Sequence, residues 1–174
     1  TSSGSGSAFG YQALSSNTIG YANSAFGLAA LAANTTGTFN SALGDRAMEA
    51  LNNGNDADSH GNDANTAIGA GALQKLTAGL WNTAIGYAAG QNLVTGSENI
   101  YINHTGFANE DHMIRIGSNG HETNAYMAGI HGVGTDVTLS PLAVFVDSQG
   151  HLTTGLSSRR YKEDIQSMGS ASDP

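Results

Sequence analysis

Cysteine is absent from the 174-residue chain, which removes disulfides and thiolate metal sites. Proline occurs twice, and Lys plus Arg only six times against 14 Asp plus Glu, for a net charge of −8. Three of the six basic residues fall at Arg159, Arg160 and Lys162. No cationic face can then follow a phosphate backbone, so nucleic acid is not an expected partner. Long apolar runs are missing too. The longest is Leu142-Ala143-Val144-Phe145-Val146, far short of the roughly 20 residues of a membrane helix, so no membrane insertion is expected. The beginning, Thr1-Ser2-Ser3-Gly4, has no basic and then apolar leader, and reads as the interior of a longer protein. Large apolar residues are scarce as well: Ile, Leu, Val and Phe number 9, 13, 5 and 5. A content that low with acidic excess is the composition of disordered chains.

What is present argues for order, because the small residues recur at a fixed interval. The unit Asn/Ser–Ser/Thr–Ala–apolar–Gly appears as Ser7-Ala8-Phe9-Gly10, Asn23-Ser24-Ala25-Phe26-Gly27 and Asn40-Ser41-Ala42-Leu43-Gly44. It returns as Asn65-Thr66-Ala67-Ile68-Gly69 and Asn82-Thr83-Ala84-Ile85-Gly86, and a degenerate sixth copy follows at Asn99-Ile100-Tyr101-Ile102-Asn103. The glycines lie 17, 17, 25 and 17 residues apart. A period of 17 is too short for helix-pair repeats and suits one coil of a β-solenoid, with two short strands and two turns. The expected inward residues are Ala, Gly and one Leu, Ile or Phe. Such a coil encloses little apolar volume, whereas ordering costs about 1–2 kcal/mol per backbone residue. Association is the remedy, and matching apolar residues on every coil supply an interface, so an obligate homo-oligomer is expected.

The array around Asn82-Thr83-Ala84-Ile85-Gly86-Tyr87-Ala88-Ala89, with turns such as Asn34-Thr35-Thr36-Gly37, resembles the YadA-like head of trimeric adhesins and the shafts of tail-fibre proteins. The resemblance covers about residues 1–105 and implies an all-β fold: a homotrimeric left-handed parallel β-roll. Residues 106–156 read as an interleaved β neck or tip, triple β-helix or β-prism in kind. Strands are expected at Met113–Gly117 and Ala125–Ile130, and a hairpin at Leu142–Val146 and His151–Thr154. Residues 157–174 resemble the opening of an endosialidase-type intramolecular chaperone. That resemblance places Ser157 on the self-cleaving serine and Lys162 on its partner lysine, with Ser158 where the family more often has Asp. It implies autocleavage at Leu156–Ser157 in a longer parent, and no enzymatic activity for this fragment alone. A lysine of lowered pKa can act as base for a serine nucleophile.

The 25-residue interval carries eight extra residues, and insertions in solenoids leave as loops on one face. Within it, Asp56, Asp58 and His60 faintly echo a calcium loop but lack the distal Glu, which leaves a ligand-contacting loop as the expectation. None of the six histidines (60, 104, 112, 121, 131, 151) has metal-ligand spacing, so neither metal nor cofactor is expected. Tyr11, Tyr21, Tyr87, Tyr101 and Trp81 are candidates for stacking sugars or for packing between coils or chains. A glycan-degrading tailspike would need paired carboxylates, and no candidate pair is present. The function expected is an extracellular, structural and adhesive fibre segment. Its loops would recognise a surface receptor or glycan on a host, prey or other cell. The alternative is a self-processing fibre released by Ser157 and Lys162.

Overall fold

The computed structural model describes residues 6–52, 63–118, 121–122, 124–126, 144–146 and 152–154. The chain divides into two compact units, residues 1–123 and 124–174.

In the first unit the repeat motif becomes strand after strand of one parallel sheet: β1 (Gly6–Phe9), β2 (Asn23–Phe26), β3 (Ser41–Leu43), β4 (Thr66–Ile68), β5 (Thr83–Ile85), β6 (Ile100–Ile102) and β7 (Ile114–Ile116). Each pairs with its successor in sequence order, which is the topology of a β-solenoid of about six turns. Register follows the motif: Ala8, Ala25, Ala42, Ala67 and Ala84 align, and Tyr101 and Arg115 continue the column. The degenerate sixth copy does form a strand. So does the segment expected at 113–117, which joins the same parallel sheet 14 residues after β6 (Ile102 opposite Ile116).

Only the central residue of each strand points inward. Ala25, Ala42, Ala67 and Ala84 are buried, whereas the Phe, Leu or Ile that follows each one is exposed. Core volume comes instead from the return segment: Ala30, Ala47, Ala72 and Ala89, then Leu31, Met48 and Leu73, then Leu51, Leu76 and Leu93. The expectation of an inward Ile or Phe from the motif is therefore corrected; those side chains face out.

Among the described residues each coil has one named strand, not two. The return segment alternates between turns and bonds to the next coil. Leu31 N donates to Ala47 O at 3.1 Å, while Ala32 N donates back to Ala29 O at 3.2 Å. The alternation requires left-handed backbone at bulky residues: Leu14, Leu31, Met48 and Leu73 have φ of 52°, 52°, 51° and 50°. Such conformations cost an L-residue roughly 1–2 kcal/mol. Here they are held by the stack, since every one of these N–H groups reaches a carbonyl of the following coil.

The repeat glycines answer to spacing. A Cβ on Gly69, which has φ +131°, would lie 2.3 Å from Gly86 O. The coils pass too closely there for any side chain.

Among the described residues of the second unit, β8 (Val144–Val146) and β9 (Leu152–Thr154) pair antiparallel, with Phe145 opposite Thr153. The pair falls within the strands expected at Leu142–Val146 and His151–Thr154, of which Leu142, Ala143 and His151 lie outside the described residues. Of the strand expected at Ala125–Ile130, Ala125 and Tyr126 are irregular and the rest lies outside the described residues. Among the described residues no helix is long and apolar enough to cross a membrane.

Candidate functional site

Asparagine builds the interior feature on which the other surfaces depend. Asn23 opens β2, Asn40, Asn65, Asn82 and Asn99 immediately precede β3 to β6, and all are fully or almost fully buried. Each side-chain oxygen accepts the backbone N–H of the next coil's asparagine: Asn40 to Asn23 at 3.0 Å, Asn65 to Asn40 at 3.1 Å, Asn82 to Asn65 at 2.9 Å and Asn99 to Asn82 at 3.1 Å. Met113 N closes the ladder on Asn99 Oδ1 at 3.0 Å. The side-chain NH2 groups hold the opposite turn. Asn23, Asn65 and Asn82 donate to the carbonyls of Gly37, Gly79 and Gly96 at 2.7, 2.8 and 2.8 Å. Satisfied networks of this kind in a low-dielectric interior are strong and specify a single register.

The insertion falls on this ladder without breaking it. At Asn40 the Nδ2 group donates to Asp63 Oδ2 at 3.0 Å, and the same oxygen accepts Thr38 N at 3.1 Å. Asp63 is 1% exposed. A carboxylate oxygen thus stands where a turn carbonyl stands in the neighbouring coils.

On the outer face of the sheet, the ladder aligns Phe9, Phe26, Leu43, Ile68, Ile85, Ile102 and Ile116 into one column. Phe9 is 75% exposed and Ile116 70%, and apart from the half-buried Ile102 those between are exposed as well. The parallel column two residues back starts polar, with Ser7, Ser24, Ser41, Thr66 and Thr83. It becomes apolar at Ile100 and Ile114.

At the C-terminal end of the coil stack the core changes character. Tyr101 replaces the inward alanine and is fully buried. Gly90 makes room for it, since a Cβ there would lie 2.9 Å from the Tyr101 ring. The Tyr101 hydroxyl donates to Glu110 Oε2 at 2.9 Å, and Arg115 Nε donates to Glu110 Oε1 at 3.0 Å. The Arg115 guanidinium sits 4.9 Å from the centre of the Phe107 ring, and His104 stacks on Tyr101 at 6.4 Å. Burial pushes the Tyr101 hydroxyl well above its ordinary pKa, and the Glu110 carboxylate adds to this. Burial would also raise Glu110, but the hydrogen bonds from Arg115 and Tyr101 prevail and hold it below the usual carboxylate range. His104 is lowered, by burial first and then by Arg115.

Of the sites expected from sequence, Asp56, Asp58, His60, Ser157 and Lys162 lie outside the described residues. Among the described residues, no group of His, Asp and Glu is arranged to hold a metal ion. Tyr11, Tyr21, Tyr87 and Trp81 are exposed, and Tyr21 packs edge-on against Phe39 at 5.3 Å. Tyr101, a candidate for stacking sugars, is a core residue. The asparagine ladder and Asp63 were missed as structural groups; the Asn that opens each repeat copy was their signal. No family model, no curated protein and no solved structure matches the chain.

Proposed function

We propose that this chain is a structural and adhesive segment of a homotrimeric extracellular fibre, a left-handed β-roll in the manner of YadA-like heads, whose surfaces recognise a glycan or other receptor on a target cell. One observation carries the reading. Parallel sheets occur almost only with both faces covered. Here one face covers the coil's own core, and the other presents an unbroken apolar column from Phe9 to Ile116. The same column on every coil is what a shared axis between identical chains needs, and the Ile100 and Ile114 pair widens it towards the end of the stack.

Light scattering of the purified chain is expected to give about three times 17.7 kDa. Replacing two neighbouring column residues, Ile68→Asp with Ile85→Asp, is expected to lower the mass to one chain. A wild-type monomer, or an unchanged mass in the double variant, would remove the proposal.

A further inference from the structure

Past the sheet the coil carries two more columns. The residue after each repeat glycine forms the first: Tyr11, Leu28, Asp45, Ala70 and Tyr87. The next residue forms the second: Gln12, Ala29, Arg46, Gly71 and Ala88. Bonds between coils keep them aligned, Gly71 N to Asp45 O at 2.8 Å and Ala88 N to Ala70 O at 2.9 Å. Asp45 and Arg46 project from the third coil and Tyr87 from the fifth, while the fourth contributes only Ala70 and Gly71. The result is an open notch of about 160 Å³, bordered on its remaining side by Gln74 and Gln91. Two strand spacings of about 4.8 Å separate its upper and lower walls. That leaves room for one ring at ordinary contact distances of about 3.5–4 Å from each wall.

The glycine on the floor is not there for the backbone. Gln12, Ala29, Arg46 and Ala88 occupy the same column with φ of 60°, 52°, 54° and 54°, against 69° for Gly71. A Cβ on Gly71 would meet nothing closer than 3.7 Å. Space accepts a side chain, and four other coils carry one in this left-handed conformation despite its strain; its absence here keeps the notch clear.

The walls carry oriented polar groups. Gln91 Nε2 donates to Gln74 Oε1 at 3.0 Å, and Gln74 Nε2 to Glu49 Oε2 at 2.8 Å, which fixes both amide heads. Asp45 and Arg46 form no ion pair among the described residues. Tyr87 is 84% exposed.

We propose that this notch binds one neutral pyranose unit of a glycan, with the C–H face of the sugar against the Tyr87 ring and adjacent hydroxyls on Asp45, Arg46 and Gln91. An aromatic face pairs with the apolar face of a sugar, and a carboxylate accepting from hydroxyls makes charge-assisted bonds. Asp45 and Glu49, the latter held on Gln74, outnumber the single Arg46 cation around the notch, and this excess negative charge disfavours anionic sugars. The inference rests on the glycan-directed reading above and narrows it to one place.

The test applies the intact chain to an array of neutral and anionic glycans, followed by saturation-transfer NMR with methyl glucoside, galactoside and mannoside. At least one neutral probe is expected to receive saturation from the protein. Tyr87→Ala and Gly71→Gln are each expected to weaken binding about tenfold or more. Both should leave the light-scattering mass unchanged; Tyr87→Ala should also leave the melting midpoint unchanged, and Gly71→Gln should lower it only modestly, through its left-handed backbone. Gln12 already occupies the Gly71 column, so the second variant fills the notch in a conformation the coil accepts. Neutral-glycan binding at full strength in both variants, binding of anionic glycans alone, or no binding at all would overturn the notch. A wild-type mass of one chain would instead remove the fibre reading, leaving the notch to be judged by the sugar signals.

Discussion

Two glycines two positions apart in the fourth coil answer to different constraints. Gly69 abuts the carbonyl of Gly86, so Gly69→Ala must push two coils apart at φ +131°. Gly71 has open space above it. Gly69→Ala is expected to lower the melting midpoint sharply, by several kcal/mol in stability, whereas Gly71→Ala should cost only the roughly 1–2 kcal/mol of left-handed backbone at φ +69°. Equal effects in a urea titration would refute the assignment. The asparagine ladder has its own test. Asn82→Ala strands Asn99 N, the Asn99 side-chain NH2 and Gly96 O, each of which loses a partner it has in the native coil. At about 1–3 kcal/mol for each group left unsatisfied, a loss of at least about 3 kcal/mol is expected. A midpoint shift confined to a few tenths of a kcal/mol would show that the ladder is replaceable by water.

At the scale of the element, the Tyr101–Glu110–Arg115 cluster closes the C-terminal end of the hydrophobic stack and makes that end sensitive to acid. The folded Glu110 carboxyl has a pKa below its ordinary 4.5. Its stabilising contribution is therefore complete above that value and is lost as pH falls through the lower, folded one. His104, also lowered, contributes stability that is complete above 6.5 and declines as pH drops towards its folded value. Stability measured from pH 7 down to 3 is expected to fall first through His104, below 6.5, and then through Glu110, below 4.5, and Arg115→Met should abolish most of the limb below 4.5. A profile identical in the variant would mean the cluster has no part in it. Much of this architecture was legible beforehand. The repeat copies placed β2 to β6, and the strands expected at Leu142–Val146 and His151–Thr154 contain β8 and β9. The return segments were not legible, because Leu31, Met48 and Leu73 are residues that left-handed backbone disfavours, and no local propensity points to it. Nor was the direction of Ile68 and Ile85 legible. Alternation says that they and Ala67 or Ala84 face opposite sides, but not which side is the core.

For the whole molecule, the scarcity of large apolar residues has a geometric meaning. Alanine columns allow coils to stack at strand spacing around a narrow interior filled by one or two Leu or Met side chains per coil, and the Phe, Leu or Ile of the strand motif is placed outside it. A chain built this way uses Phe26, Leu43, Ile68 and Ile85 as surface, and the light-scattering measurement asks whether that surface is shared. The notch next to Tyr87 belongs to the same logic. A regular coil offers ridges of repeated side chains, and specificity enters where one coil carries small residues between two that do not.

Asp63 has one further consequence. The carboxylate that replaces a turn carbonyl lets the winding resume in register on both sides of an eight-residue excess, as the aligned Ala42 and Ala67 show. Lengthening such an excursion is thermodynamically mild, about 0.6 kcal/mol for each doubling. The scaffold can therefore tolerate drift, grafting or wholesale exchange of the excursion while its supporting spiral remains untouched, much as a bolt of standard thread accepts different heads.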